Sequence, residues 1–365
     1  MKKLFIALIA TAFTQQMAAQ FHTLNMPQGS PRVQETQKVG VTEITLDYGS
    51  PALRNRDAWN DSNVIPQGGD PIAWRAGANM ATTIEFSTDV MIEGQALKAG
   101  KYGFHIIPEN DTYTLLFAHN FDQWGSYYLD TDKDVTLRVK VDPETCSMSE
   151  RLDYEFLNRT PNSVVIGLEW GEKRIPFKVE VDLNKTVVES LRSELRGINT
   201  YHWQAWNDAA RWCLDHDTNL EEAYEWVNRS INGGYNGFSA HSDVINLVTK
   251  INLIAKLGKT EDLQSTIEAA QGLVNYDWQA NYLTQTLLRD GFHEQGLKSA
   301  EQNLKTYPDA WFLHLNKSLG HYFLGNKKKA ISSANKALTL APEPRKARIN
   351  EIISEINAGT YQFPS

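Results

Sequence analysis

The feature that most constrains this chain of 365 residues is a change in the spacing of its apolar residues near residue 187. From about residue 30 to residue 183, apolar and polar residues alternate in short runs, and this period of two is typical of β-strands. After Leu183 the alternation stops and helical patterns replace it. Because the chain also exceeds the usual length of one domain, we predict a β-domain over residues 28–183 and an α-helical domain over residues 187–360.

The first domain contains many short segments that are predicted to be strands. Turn residues separate the segments, as at 93–95 and 170–173. Short strands joined by hairpin-like turns indicate an all-β sandwich, and a closed barrel is the alternative because strand number does not distinguish the two. The predicted strands are 41–48, 83–86, 90–92, 112–117, 135–141, 151–156, 163–170 and 175–181.

The second domain contains residues that recur 34 positions apart. A period of 34 is that of tetratricopeptide repeats, in which each repeat is a pair of helices. The resemblance implies an all-α domain of stacked helix pairs, whose concave face is suited to peptides or protein partners. We therefore expect a protein partner for this domain. The matching pairs are Gly291 and Gly325, Leu297 and Ile331, Ala300 and Ala334, Leu304 and Leu338, and Pro308 and Pro342.

Residues 1–20 have the pattern of a cleaved signal peptide. Lys2 and Lys3 precede an apolar stretch over residues 4–13, and small residues near position 19 offer a cleavage site. Polar residues at 14–16 end this stretch before it is long enough to span a membrane. No cysteine lies near the cleavage region. We therefore expect an exported protein, periplasmic or secreted, that is not a lipoprotein and has no membrane span.

Charge and cysteine content exclude several functional classes. The net charge is -8 and the isoelectric point is about 5.6, which argues against nucleic acid as a partner, because phosphate backbones attract clustered Lys and Arg. Cys146 and Cys213 fall in different predicted domains, so a disulfide between the domains and two free thiols both remain open, and a cysteine metal site is not supported. The common hydrolase and nucleotide-binding motifs are missing from the sequence. No catalytic residue, metal or cofactor is predicted.

A group of aromatic, cationic and amide side chains in the β-domain is the strongest candidate for a ligand-binding site. Flat indole and phenol rings stack on sugars and other planar groups, while arginine and asparagine supply directional hydrogen bonds. A small molecule, a glycan or a cell-envelope component is therefore the expected ligand. In the structural alternative, the two tryptophans close one end of a sandwich core and the arginine pairs with a buried carboxylate such as Asp47. The predicted site residues are Tyr48, Trp74, Arg75, Asn79, His105 and Trp124.

Four motifs of this domain also resemble a known family. They are the segments 47–51, 74–79, 100–103 and 123–125. Together they are similar to a secreted bacterial family described as domain of unknown function 2911, over about Gln28 to Leu183. The resemblance implies export and an all-β module, and it brings no assigned reaction.

Two hypotheses follow for the whole chain. The leading one is an exported binding protein without catalysis, whose β-sandwich binds a ligand and whose helices contact a protein. The alternative is a hydrolase acting on envelope glycan or polymer, with Arg75, Asn79 and either His105 or His119 around the centre. A carboxylate within hydrogen-bond reach of one of these histidines would favour the hydrolase.

Overall fold

The computed structural model describes residues 26–66, 73–109, 112–235 and 238–364. The predicted signal peptide lies outside the described residues. The chain divides between Thr186 and Val187 into two units, called the β-unit and the helical unit below. Each unit has a hydrophobic core of its own.

The β-unit contains two antiparallel sheets. The first has the strand order β1-β2-β3-β6-β7-β8 and the second has the order β5-β4-β10-β9. Neighbouring strands pair antiparallel throughout the described residues of both sheets. The strands are β1 (Arg32–Val39), β2 (Thr42–Gly49), β3 (Thr82–Phe86), β4 (Val90–Ile92), β5 (Gln95–Leu97), β6 (Gly100–Pro108), β7 (Tyr113–Ala118), β8 (Val135–Val141), β9 (Glu144–Leu157) and β10 (Ser163–Glu180).

Aromatic side chains from both sheets form one core between them. The rings of Phe104 on β6 and Phe177 on β10 stack with their centroids 5.4 Å apart. Phe117 on β7 packs against both rings. Two open sheets that share a core are a β-sandwich, so the predicted fold class is confirmed for this unit and the barrel alternative is wrong.

The turn predicted at Trp170 to Lys173 is wrong, because a single strand, β10, runs through it. Gly171 has φ +62°, and the pairing of β10 with β9 shifts register on both sides of this residue. An extra residue in one strand produces such a bulge without ending the strand. Glycine therefore marks a bend here and not a hairpin.

From Trp203 onward, the helical unit is a series of helix pairs in which consecutive helices contact each other. The first helices of successive pairs, α2, α4, α6 and α8, also contact one another in sequence, as expected for stacked repeats. The helices are α1 (Leu183–Glu194), α2 (Trp203–Asp215), α3 (Leu220–Asn232), α4 (Val244–Leu257), α5 (Leu263–Gly272), α6 (Asp277–Arg289), α7 (His293–Asn303), α8 (Trp311–Phe323), α9 (Lys327–Leu340) and α10 (Glu343–Ala358).

The residues 34 positions apart occupy equivalent places in this stack. Gly291 and Gly325 lie between the helices of their pairs and have φ +86° and +77°, where glycine avoids the strain of a side chain. Ala300 and Ala334 are fully buried within the second helices. The predicted tetratricopeptide-like fold of the helical region is confirmed.

Two further predictions concern the membrane and the cysteines. Among the described residues, no helix is long and apolar enough to cross a membrane. Cys146 and Cys213 are both free thiols, and Cys213 is buried.

Candidate functional site

Two of the six predicted site residues belong to the sandwich core. Trp74 is 4% exposed, and its indole stacks on that of Trp170 with a centroid distance of 6.1 Å. Tyr48 is fully buried, and its hydroxyl contacts the carboxylates of Glu35, at 2.6 Å, and Asp153. Neither ring presents a face to a ligand, so we leave both residues out of the proposed site.

Arg75 is half-buried, and its guanidinium lies against a loop of the first sheet. Its Nη1 atom donates a hydrogen bond to the main-chain oxygen of Asn79 at 2.5 Å. Its Cζ atom lies 5.6 Å from the centre of the Tyr127 ring. A Cβ atom at Gly125 would come within 2.7 Å of Cζ, so glycine at this position leaves the space that the guanidinium occupies.

The expected ion pair between Arg75 and Asp47 is wrong, because Asp47 pairs with Arg32. Among the described residues, no carboxylate lies within 4.0 Å of the Arg75 guanidinium. The pairing of Arg75 with a buried carboxylate therefore finds no support among the described residues. Within the described residues, Arg75 is thus a partly desolvated cation that a main-chain carbonyl contacts and no acid neutralises.

Asn79 shapes the site through its backbone. Its φ of +65° is in the left-handed region, which asparagine tolerates better than most residues. Its side-chain Nδ2 donates to the Gln28 side chain at 3.1 Å and to the Ser30 main chain at 3.3 Å. The amide is thus occupied within the protein, and the main-chain oxygen positions Arg75.

The loop over residues 119–134, called the aromatic loop, connects β7 to β8 and exposes a group of large rings. Trp124 is 53% exposed, Tyr127 is 75% exposed and Tyr128 is 78% exposed. Trp124 pairs with Met80 through an isolated bridge, which holds the loop beside Arg75. Trp124 therefore does not close the core, and the exposed rings form a patch of the kind that marks binding sites.

His105 lies on β6 beneath the aromatic loop and is fully buried. Its Nδ1 atom is 2.7 Å from the Ser126 hydroxyl oxygen. Burial and, to a smaller extent, the positive charge of Arg75 together lower the pKa of His105 from 6.5 to about 4. The imidazole is therefore neutral at physiological pH.

The predicted discriminator for a hydrolase is not met. His105 bonds to a hydroxyl, and the Nε2 atom of the exposed His119 lies 3.7 Å from Asp134, beyond hydrogen-bond distance. Ser126 beside His105 has the residue types of a nucleophile and its base. However, an imidazole with a pKa of about 4 is a weak base at neutral pH, and no described side chain orients its Nε2 atom.

Two residues that complete this geometry, Gly125 and Ser126, were not predicted as part of the site, and Gln123 was recognised only as a member of the wider group of polar and aromatic side chains. Gln123 is 6% exposed and its side-chain oxygen has no hydrogen-bond partner. The Gln123 to Gly125 motif and the adjacent tyrosines were visible signals in the sequence. Their partners on β6 were not, because the loop comes to lie over that strand only in the folded domain.

Comparison with known proteins shows which family the β-unit is similar to. Residues 30–179 match the model of a family described as Protein of unknown function (DUF2911). The matched residues make up most of the β-unit, which is called the DUF2911 module below. The resemblance predicted from the motifs is confirmed over this range. No curated protein matches the chain.

Solved structures similar to this chain include two helical proteins. MamA from Desulfovibrio magneticus RS-1 is 16% identical, with 43% of this chain and 84% of that chain covered and a TM-score of 0.31. YrrB, titled a TPR protein with an unusual peptide-binding site, is 14% identical, with 46% and 83% covered and a TM-score of 0.32. Such low scores carry no argument for this chain.

Proposed function

We propose that the DUF2911 module binds an anionic ligand between Arg75 and the aromatic loop, and that the helical unit provides a surface for a protein partner. One observation carries the first part. The half-buried guanidinium of Arg75 is held against Gly125 and beside the Tyr127 ring, and no carboxylate within the described residues neutralises it.

A partly buried cation without a counter-charge is unfavourable, because it loses hydration that no ion pair replaces. A carboxylate or phosphate group supplies that partner and matches the planar donor geometry of a guanidinium. The neutral His105 nearby adds no competing charge. The exposed rings of Trp124, Tyr127 and Tyr128 can pack against the rest of such a ligand.

The remaining parts of the proposal rest on other observations. Stacked helix pairs present a continuous surface of the kind that binds peptides in repeat proteins, and this supports the protein partner. Export to the periplasm or beyond rests on the pattern of residues 1–20. With a ligand site of this kind, an exported chain would bind a small molecule, a glycan or an envelope component. No observation specifically favours the hydrolase.

Replacing Arg75 with glutamine is expected to weaken anion binding by at least about tenfold. The reason is the loss of a charge-assisted hydrogen-bond pair, and about 1.4 kcal/mol corresponds to a factor of ten. Acetate, inorganic phosphate and glucuronate are titrated into the full-length protein and followed by calorimetry and by thermal stabilisation, which a ligand of the native state increases.

Arg56→Gln is the matched control for this experiment. Arg56 also donates only to main-chain oxygens among the described residues, those of Ala52 and Leu53, and no aromatic ring contacts its guanidinium. This variant should bind every anion as the unsubstituted protein does. The proposal is wrong if the unsubstituted protein binds none of the three anions, or if Arg75→Gln binds them with unchanged affinity.

A further inference from the structure

Arg229, on α3 of the helical unit, is a partly buried cation without an acidic partner. Within the described part of this unit, it is the only arginine that is not exposed. Its Nε atom is buried without a hydrogen-bond partner, whereas its two Nη atoms reach solvent. No carboxylate of the described residues lies within 4.0 Å of the guanidinium. Because such a cation loses hydration that no ion pair replaces, an anion from a partner would stabilise it.

Three features of the fold hold the Arg229 guanidinium in place. Its Cζ atom lies 5.0 Å from the centre of the Trp206 ring on α2, as in a cation–π contact. A Cβ atom at Gly234 would come within 1.5 Å of Cζ, so glycine leaves the space that the guanidinium occupies. Arg229 also lies in the last turn of α3, where the helix dipole favours a cation. None of these contacts gives the Nη atoms a hydrogen-bond acceptor.

Large apolar side chains are exposed in the same part of the helical unit. Ile198 is 73% exposed, Tyr201 is 54% exposed and Phe238 is 50% exposed. The rings of Tyr201 and Phe238 contact each other edge to face, with centroids 5.3 Å apart. Exposed apolar side chains that form a group, and are not scattered singly, mark surfaces that bind other molecules.

Hydrogen bonds join these rings to the two residues that enclose the guanidinium. The indole nitrogen of Trp206 donates to the main-chain oxygen of Thr200 at 3.1 Å, directly before Tyr201 in the chain. The main-chain nitrogen of Gly234 donates to the main-chain oxygen of Phe238 at 3.0 Å. The cation and the exposed rings therefore belong to one surface, formed by Ile198, Tyr201, Arg229 and Phe238 and called the Arg229 surface below.

The chemistry of the Arg229 surface selects the kind of partner that fits it. A carboxylate matches the planar donors of a guanidinium, and an aromatic side chain covers exposed rings. A small anion would leave the rings in water, and an apolar ligand would leave the cation unpaired. A peptide segment with aspartate or glutamate next to an aromatic residue satisfies both parts. Arginine and aromatic side chains are also the residue types that dominate binding at protein interfaces.

We propose that the Arg229 surface is the protein-binding site of the helical unit, and that its partner is a protein segment with an acidic residue next to an aromatic one. The carboxylate of the partner binds the Nη atoms of Arg229, and its aromatic side chain packs against Tyr201 and Phe238. This inference rests on the proposed function and names, for its helical part, the surface and the chemistry of the partner.

The test uses a blocked hexapeptide of sequence Gly-Ser-Asp-Phe-Ser-Gly, titrated into the full-length protein by calorimetry. All titrations use the Arg75→Gln protein, because a carboxylate is also expected to bind at Arg75. In one comparison peptide asparagine replaces the aspartate, and in another alanine replaces the phenylalanine. The parent peptide is expected to bind at least about tenfold more tightly than either, since each replacement removes one of the two contacts.

Adding Arg229→Gln to this protein should weaken binding of the parent peptide by at least about tenfold and leave the affinity of the asparagine peptide nearly unchanged. Arg345→Gln, which removes the same charge at an exposed position on α10, is the matched control and should change neither affinity. The comparison of peptides requires no substitution at Arg229, so it decides the question even if the Arg229→Gln protein does not fold.

The outcomes separate this inference from the proposed function. If the parent peptide binds and Arg229→Gln leaves its affinity unchanged, the helical unit binds protein segments elsewhere and the Arg229 surface is wrong. Equal affinities for the aspartate and asparagine peptides would also overturn it. If no peptide binds, the Arg229 surface is wrong, while anion binding at Arg75, measured separately with acetate, phosphate and glucuronate, is unaffected.

Discussion

The β-unit is expected to lose about 3 kcal/mol of unfolding free energy between pH 6.5 and pH 4, and His105→Asn is expected to remove that loss. Burial holds the pKa of His105 near 4 in the folded state, whereas an unfolded imidazole has its ordinary pKa of 6.5. As the pH falls through 6.5, the His105 imidazole binds a proton in the unfolded chain but stays neutral in the folded one. Stability is therefore complete above pH 6.5 and declines until the folded imidazole also takes a proton, near pH 4.

Pulsed hydrogen exchange along a urea titration of the full-length protein, read by mass spectrometry of peptides from β6 and β7, measures this unit by itself. The quantity to compare is the difference in unfolding free energy between pH 7 and pH 4 within each protein, because asparagine also leaves a small cavity at every pH. His119→Asn, at a side chain that is 63% exposed, is the matched control and should retain the unsubstituted difference. A His105→Asn protein with the same difference as the unsubstituted protein would show that His105 is not the group responsible.

The success of the strand predictions depended on how strictly apolar residues alternate. β8 was predicted with its observed bounds because its alternate residues, from Leu137 to Val141, are buried and apolar. β1 was not predicted, since Glu35 and Gln37 occupy two of its inward positions. An edge strand with polar inward residues has no apolar period to read, and its pairing with β2 decides its structure.

The candidate site was predictable in part for a similar reason. The alternation of β2 places Tyr48 on the same face as the buried Ile44 and Leu46, so its burial could have been derived from the sequence. The exposed rings of the aromatic loop lie in a segment without strand alternation, as a binding loop would. The approach of His105 to Ser126 follows from the folding of this loop over β6, which residue spacing does not specify.

In the helical unit, Asp290→Asn is expected to raise the unfolding free energy at pH 7.5 by about 2 kcal/mol, allowing for partial solvent access. Asp290 follows the last residue of α6, and its Oδ2 atom is buried without a partner. Burial raises the pKa of Asp290 from 3.8 to about 6, although Arg289 and Lys256 lower it in part. The charged form is thus unfavourable when folded. This penalty is complete above pH 6, declines as the pH falls, and vanishes below the unfolded pKa of 3.8.

The same exchange experiment, read on peptides from α4 and α6, measures the unfolding free energy of the helical unit. The increase that Asp290→Asn produces at pH 7.5 should mostly disappear at pH 4. Asp215→Asn is the matched control, because Asp215 lines the same cleft, of about 560 Å³, and its side chain is 60% exposed. It should change the unfolding free energy little at either pH. An equal gain for Asp290→Asn at both pH values would contradict the titration and indicate a packing effect. The two groups therefore respond to mild acid in opposite ways. Because the folded β-unit keeps His105 neutral, acid should lower the unfolding free energy of that unit. Because acid protonates Asp290, it should remove the cost of burying the charged carboxylate in the helical unit.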